Sequence, residues 1–272
     1  MAQDIAAEIA AKFPPVRINS ISSDDISTAL QKGYQDFLFK RGDLIFIGAL
    51  YPLIGLLAAT FVLGGASLPL LFPLAAGLSL MGPLVSAGFY ELARRREAGE
   101  DSGWMHFFDV FGSSNFSNIM FVGSILLAVF ALWMLTAFII YSVFMGAMVP
   151  QSPGEFLSSI FTTGEGWAMI IIGNLVGLAF AITVLAISFV SLPMLVDKNV
   201  GAGRAIRTSV KAFNKNRSVV LRWGITVAVL LAIGAAPLFL GLAVVLPTLG
   251  YATWHLYTRT IMREDLPDAE RV

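Results

Sequence analysis

No cysteine occurs among the 272 residues, and histidine occurs only twice. Without thiols there are no disulfides, thiolate metal sites or thiol redox relays, although a membrane core needs no such staples in any compartment. Charge is absent in a more informative way. Four stretches hold no Asp, Glu, Lys or Arg: Leu44 to Tyr90, Val110 to Gly154, Gly166 to Val196, and Trp223 to Thr258. Pumps and ion-coupled carriers place Asp, Glu, His or Arg inside the bundle, where each costs about 2.5 to 3.5 kcal/mol or more and persists only for use. None sits mid-span here. A P-loop, HExxH, GxSxG or close acid pair is also missing, so no nucleophile is matched with a base and no catalytic, metal-binding or cofactor-binding residue is assigned.

The charge-free runs set the fold class. A helix needs roughly 20 apolar residues to cross a hydrocarbon core of about 30 Å at about 1.5 Å per residue. The first stretch therefore holds two helices, joined at Gly64, Gly65, Ala66, Ser67, Leu68 and Pro69. The last holds two, with a turn near Gly234 to Pro237 and Arg222 snorkelling to the surface. The middle stretches hold one each, about Ile119 to Met148 and Trp167 to Val196. Leu, Phe, Ala and Gly run continuously rather than alternating at period two, which excludes a β-barrel. The expectation is an all-α, polytopic membrane bundle of six transmembrane helices.

Six crossings put both termini on one side, with the loops around 91 to 118 and 197 to 218. The 18 basic residues gather there, including Lys40, Arg41, Arg94, Arg95, Arg96, Arg204, Arg207, Lys211, Arg259 and Arg263. The opposite loops carry only Glu155 and Glu165. By the positive-inside rule the basic side is cytoplasmic, and the expected location is a bacterial inner (plasma) membrane. The first 43 residues hold no apolar h-region, so the helix from Leu44 is the expected insertion signal.

Three amphipathic segments are expected at the cytoplasmic surface. In the first, capped by Ser22 or Asp24, residues Ile26, Leu30, Tyr34, Phe37 and Leu38 share a face. In the second, Trp104, Phe107, Phe108 and Phe111 follow helical spacing after a Ser102 cap. In the third, Ile206, Val210 and Phe213 oppose Arg204, Arg207, Lys211 and Lys215. Each ends on a Phe and a polar joint, namely Lys40 to Asp43, Gly112 to Asn115, and Asn214 to Arg217. Pro83, Pro193 and Pro247 mark the cytoplasmic ends of the closing helices. The pattern reads as three repeats of amphipathic helix plus hairpin, about 24–93, 100–196 and 200–258, between an N-terminal segment 1–23 and an acidic tail 264–272.

Pro14-Pro15-Val16-Arg17-Ile18-Asn19, the segment Ala29 to Phe37, and Gly82-Pro83-Leu84 through Gly88-Phe89-Tyr90-Glu91-Leu92-Ala93-Arg94-Arg95 resemble the DUF2189 family of predicted bacterial integral membrane proteins. The resemblance extends over nearly the whole chain and implies a multi-helix membrane fold. Some members carry labels likening them to cytochrome c oxidase subunit I. A haem-copper core needs several intramembrane histidines, and His106 and His255 come from different repeats with neither deep in a span. Oxidase catalysis is excluded on that count.

A lipid-facing role remains. Arg204, Arg207, Lys211, Lys215 and Arg217 form an acid-free basic set, which with Trp104, Phe107 and Phe108 makes a candidate lipid or partner surface. Gly173, Asn174 and Gly177 form a small-residue face, read as helix packing or, as the alternative, a solute site. The expected function is a non-enzymatic accessory, assembly or scaffold component whose partners are membrane lipids and another membrane protein complex, with no nucleic acid. The rival is a transporter or flippase for an apolar or amphiphilic solute.

Overall fold

A computed structural model describes residues 16–39, 73–74, 82–146, 153–237, 239–264, 266–267 and 269. These residues are helical in the main. The order is α1 Ser23–Phe39, α2 Gly82–Val85, α3 Ala87–Glu97, a 3₁₀ helix Trp104–Gly112, α4 Phe116–Met145, α5 Pro153–Thr162, α6 Gly164–Ser188, α7 Ser191–Asp197, α8 Ala202–Lys215, α9 Arg217–Ala235 and α10 Leu242–Thr260.

Three of the described helices are long and apolar enough to cross a membrane: α4, α6 continued by α7 as Gly164–Asp197, and α9. They fall on the third, fourth and fifth expected crossings. The first two belong to the Leu44 to Tyr90 stretch, most of which, with the Gly64 to Pro69 turn, Gly77 and the Lys40 to Asp43 joint, lies outside the described residues. The sixth corresponds to α10, which is wrapped by protein: Tyr251, Trp254, Leu256 and Tyr257 are all at most 1% exposed. Between α6 and α7 the axis breaks at Phe189 and Val190. Pro193 explains the break, because its ring clashes with the carbonyl of Phe189 and supplies no N–H to it.

Helices form over the three segments expected to be amphipathic, with buried faces that only partly match the large residues named for them. Helix α1 begins after Ser22, whose backbone N–H donates to Asp25 Oδ2 at 2.8 Å, the return half of a capping box. Its buried face is Ile26, Ala29, Gly33 and Phe37, while Tyr34 and Leu38 are exposed. Gly33 is the reason. A Cβ there would lie 2.6 Å from the Thr248 carbonyl oxygen and 2.7 Å from the Ala252 nitrogen, so glycine lets α1 lie directly on α10. The second segment is a 3₁₀ helix, tightened by the His106 N–H bond to Gly103 O at 3.0 Å. Its Phe107 ring wedges against Gly88, and the residue at its N-cap is Gly103 rather than Ser102. Helix α8 turns Ala205, Ser209 and Ala212 inward, leaving Ile206 and Val210 half-buried. Small residues again bring the backbones close, here against α6, α7 and α4.

In the span region α4 packs on α6, where the Trp133 ring covers Gly177 and meets Phe180 at 5.6 Å. At the other end α1, α3 and α9 enclose α10. An antiparallel bridge between Ile18 and Ile261 ties the segment before α1 to the segment after α10.

Candidate functional site

The polar residues concentrate in a collar built on α3. Glu91 is fully buried, and helical spacing puts Arg94 and Arg95 one turn ahead of it. Its carboxylate accepts from Arg94 Nη2 at 3.0 Å and Arg95 Nε at 3.1 Å. Each guanidinium then reaches a second carboxylate, Arg94 to Glu100 at 2.9 Å and Arg95 to Asp109 at 2.6 Å. The Asp109 carboxylate also lies 2.7 Å from His106 Nδ1. The 3₁₀ helix is therefore held to α3 by charge as well as by Phe107.

The opposite side of the same helix binds α1 and α10. Asp36 of α1 joins Arg96 at 2.8 Å and His255 at 2.7 Å. Glu97 accepts from Trp254 Nε1 at 2.8 Å and pairs with Arg263. Burial alone would raise the Glu97 carboxyl, but the Arg263 and Trp254 bonds outweigh it and hold the group below its ordinary value. Tyr257 donates to Asp197 at 2.8 Å, which brings in the end of α7. Arg259 grips Asp25 at 2.8 Å, and the Ser22 backbone bond first and Arg259 second keep that carboxyl low.

Asparagines seal the joints. Asn115, almost fully buried, donates to the carbonyls of Leu195 at 3.1 Å and Lys198 at 2.6 Å, satisfying the exposed end of α7. Asn118 Oδ1 accepts from Ala202 N at the start of α8. Asn216 accepts from Ile21 N at 2.9 Å and donates to Asn19 O at 3.0 Å, fastening the strap before α1 to the α8–α9 corner.

A cleft of 410 Å³ opens in this collar, lined by Arg94, Glu97, Glu100, Asp197, Lys198 and Arg263. Its walls are ion pairs already formed, Arg94 with Glu100 and Arg263 with Glu97, so what the arrangement does chemically is hold five elements together. Among the described residues no group of three His, Asp or Glu is placed to hold a metal. The two histidines are engaged separately, His106 by Asp101 and Asp109 and His255 by Asp36.

The residues singled out from sequence are dispersed. Lys211 and Arg217 are exposed, Arg204 is half-buried, Arg207 donates to Gly203 O at 3.0 Å, and Lys215 donates to Ile18 O at 2.6 Å. Trp104 is half-buried, Phe107 packs edge-on to Phe89 at 5.0 Å, and Phe108 stacks on Phe111 at the surface. Of the small-residue face only Gly177 packs closely. Gly173 has open space beside it, and exposed Asn174 donates to its own helix at Ile170 O. Ser124, Ser142 and Ser188 likewise bond back to their own helices. Sequence reasoning missed Asp36, Asp197, Asn115 and Asn216, although an Asn in two of the polar joints was visible.

No curated protein and no solved structure matches the chain. A family model described as predicted integral membrane protein matches residues 70–197, somewhat less than half of the chain. That segment carries Glu91 with its two arginines, the 3₁₀ helix, α4, and α6 with its α7 continuation, and over it the chain matches the DUF2189 family of predicted integral membrane proteins.

Proposed function

We propose that the protein is a non-enzymatic accessory or assembly component of a bacterial inner membrane, crossing it six times with the collar on the cytoplasmic side. One observation carries the reading. The charged groups of the collar are spent on each other between helices, whereas α4 and α6 present broad uncharged faces, with Leu135, Phe138, Leu175 and Leu178 all more than half exposed. Such a molecule offers a rigid rim and an apolar wall, which suits contact with lipid and a second membrane protein more than turnover of a solute. The exposed Phe108 and Phe111, beside the start of α4, suit the part of aromatic anchors at a headgroup layer. The basic outer face of α8 adds attraction for anionic lipid.

Gentle extraction from native membranes, followed by mass spectrometry that retains complexes, tests this. A stoichiometric protein partner is expected. Extraction of the chain alone would overturn the reading, and movement of a labelled amphiphile by that protein in proteoliposomes would replace it with the carrier or flippase. Orientation is checked separately. With no native cysteine, Glu155→Cys should label with an impermeant thiol reagent from outside the cell, and Lys211→Cys only after permeabilisation.

A further inference from the structure

We propose that the groove between α1 and the first turns of α9 binds one phospholipid with a singly charged anionic headgroup. The groove measures 390 Å³ and combines a polar rim of Ser23, Ser27, Arg222 and Thr226 with apolar walls at Leu30 and Ile225. This cavity is distinct from the collar cleft.

Arg222 is the centre of the site. It lies five residues inside a span that begins at Arg217, about 7.5 Å along the axis, and no further charge follows until Arg259. That depth is where headgroup phosphates meet hydrocarbon. The collar arginines 94, 95, 96, 259 and 263 each meet a carboxylate. Arg222 instead meets the neutral Ser23 hydroxyl, and among the described residues no carboxylate pairs with it. Asp25, the nearby acid that would serve, is taken by Arg259. A guanidinium that meets no carboxylate among the described residues presents, at the interface, a fork that fits two phosphate oxygens.

The rest of the groove selects the occupant. Ser27 and Thr226 spend their hydroxyl protons on Asp24 O and Arg222 O, both at 2.9 Å, so their oxygens face the groove as acceptors. They suit a headgroup bearing hydroxyls of its own, such as glycerol. Asp24, next to Ser23 in the chain, adds a negative charge that disfavours a doubly charged headgroup. From Ile225 an exposed apolar track continues through Val229 and Ile233, one turn apart along α9, and gives an acyl chain a path into the bilayer.

The test is native mass spectrometry of the full chain in detergent, titrated with phosphatidylglycerol or phosphatidylcholine. One phosphatidylglycerol should be retained with about fivefold preference, the worth of one interfacial cation. Arg222→Gln should abolish the preference, while Lys32→Gln, exposed on α1 outside the groove, should leave it unchanged. Leu30→Trp fills the groove with the guanidinium intact and should expel the lipid; it decides the matter if Arg222→Gln fails to purify as a folded protein. Preference surviving Arg222→Gln, equal loss in Lys32→Gln, or lipid retained by Leu30→Trp would each overturn the proposal.

Discussion

The collar and the spans solve burial in different ways. In the collar, Trp254, Tyr257, Leu256 and Glu91 are sealed by other parts of the same chain, and polar groups are matched across helices far apart in sequence. In the spans, α6 leaves Leu178 56% exposed, and its polar side chains Asn174 and Thr183 bond within their own helix. The collar is thus stabilised by the protein itself, and the apolar faces of the spans by the bilayer around them. Substitutions should respect that division.

The largest effect is expected from Glu91→Ala, which leaves Arg94 and Arg95 facing each other across a buried space. Loss of one partner from such a cluster costs about 3 kcal/mol or more, read as a lowered unfolding midpoint in detergent. Next comes a matched pair. Leu256→Ala, in the collar, should destabilise by about 2 to 5 kcal/mol, while Leu178→Ala should stay within about 0.5 kcal/mol. Equal costs for the two would break the comparison. Gly33→Val should cost about 1 to 3 kcal/mol by forcing α1 away from Thr248 and Ala252, and protease should then cut α1 faster.

Acid should give the smallest effect, again confined to the collar. Asp25 and Glu97 are held below their ordinary values of 3.8 and 4.5, so each binds protons more readily when unfolded. Their contribution is complete above those values and is lost as pH falls through the lower folded ones. Stability should therefore decline with falling pH in that range, and Asp25→Asn together with Glu97→Gln should flatten the decline. Melting midpoints measured from pH 6 down to about 3 check it.

The spans were legible because the absence of charge over 30 residues is a statement any helix in lipid must make, and α4, α6 and α9 lie where it placed them. The Glu91 pairing was also within reach, being local to one helix. The packing faces of α1 and α8 were not. Hydrophobic periodicity weights Leu30, Tyr34, Ile206 and Val210, whereas close approach is decided by Ala29, Gly33, Ala205 and Ser209, which carry little apolar weight. The long ion pairs were illegible for another reason: Asp36 meets His255 across 219 residues, and Asp25 meets Arg259 across 234, with no periodicity linking them. Groups that share one helix announce themselves, and groups that meet only through the fold do not.

The seating of α1 on α10 also imposes a timetable. Arg17 and Asn19 exchange backbone bonds with Met262 and Thr260, and Gly33 faces Ala252, so the first described helix docks on the last. With about 220 residues between them and synthesis at about 5 to 20 residues per second, a newly made α1 waits about 10 to 45 s for its groove to exist. During that interval Ile26 and Phe37, buried in the finished fold, have no α10 to cover them. The contact that seats α1 is thus one of the last that the growing chain can complete.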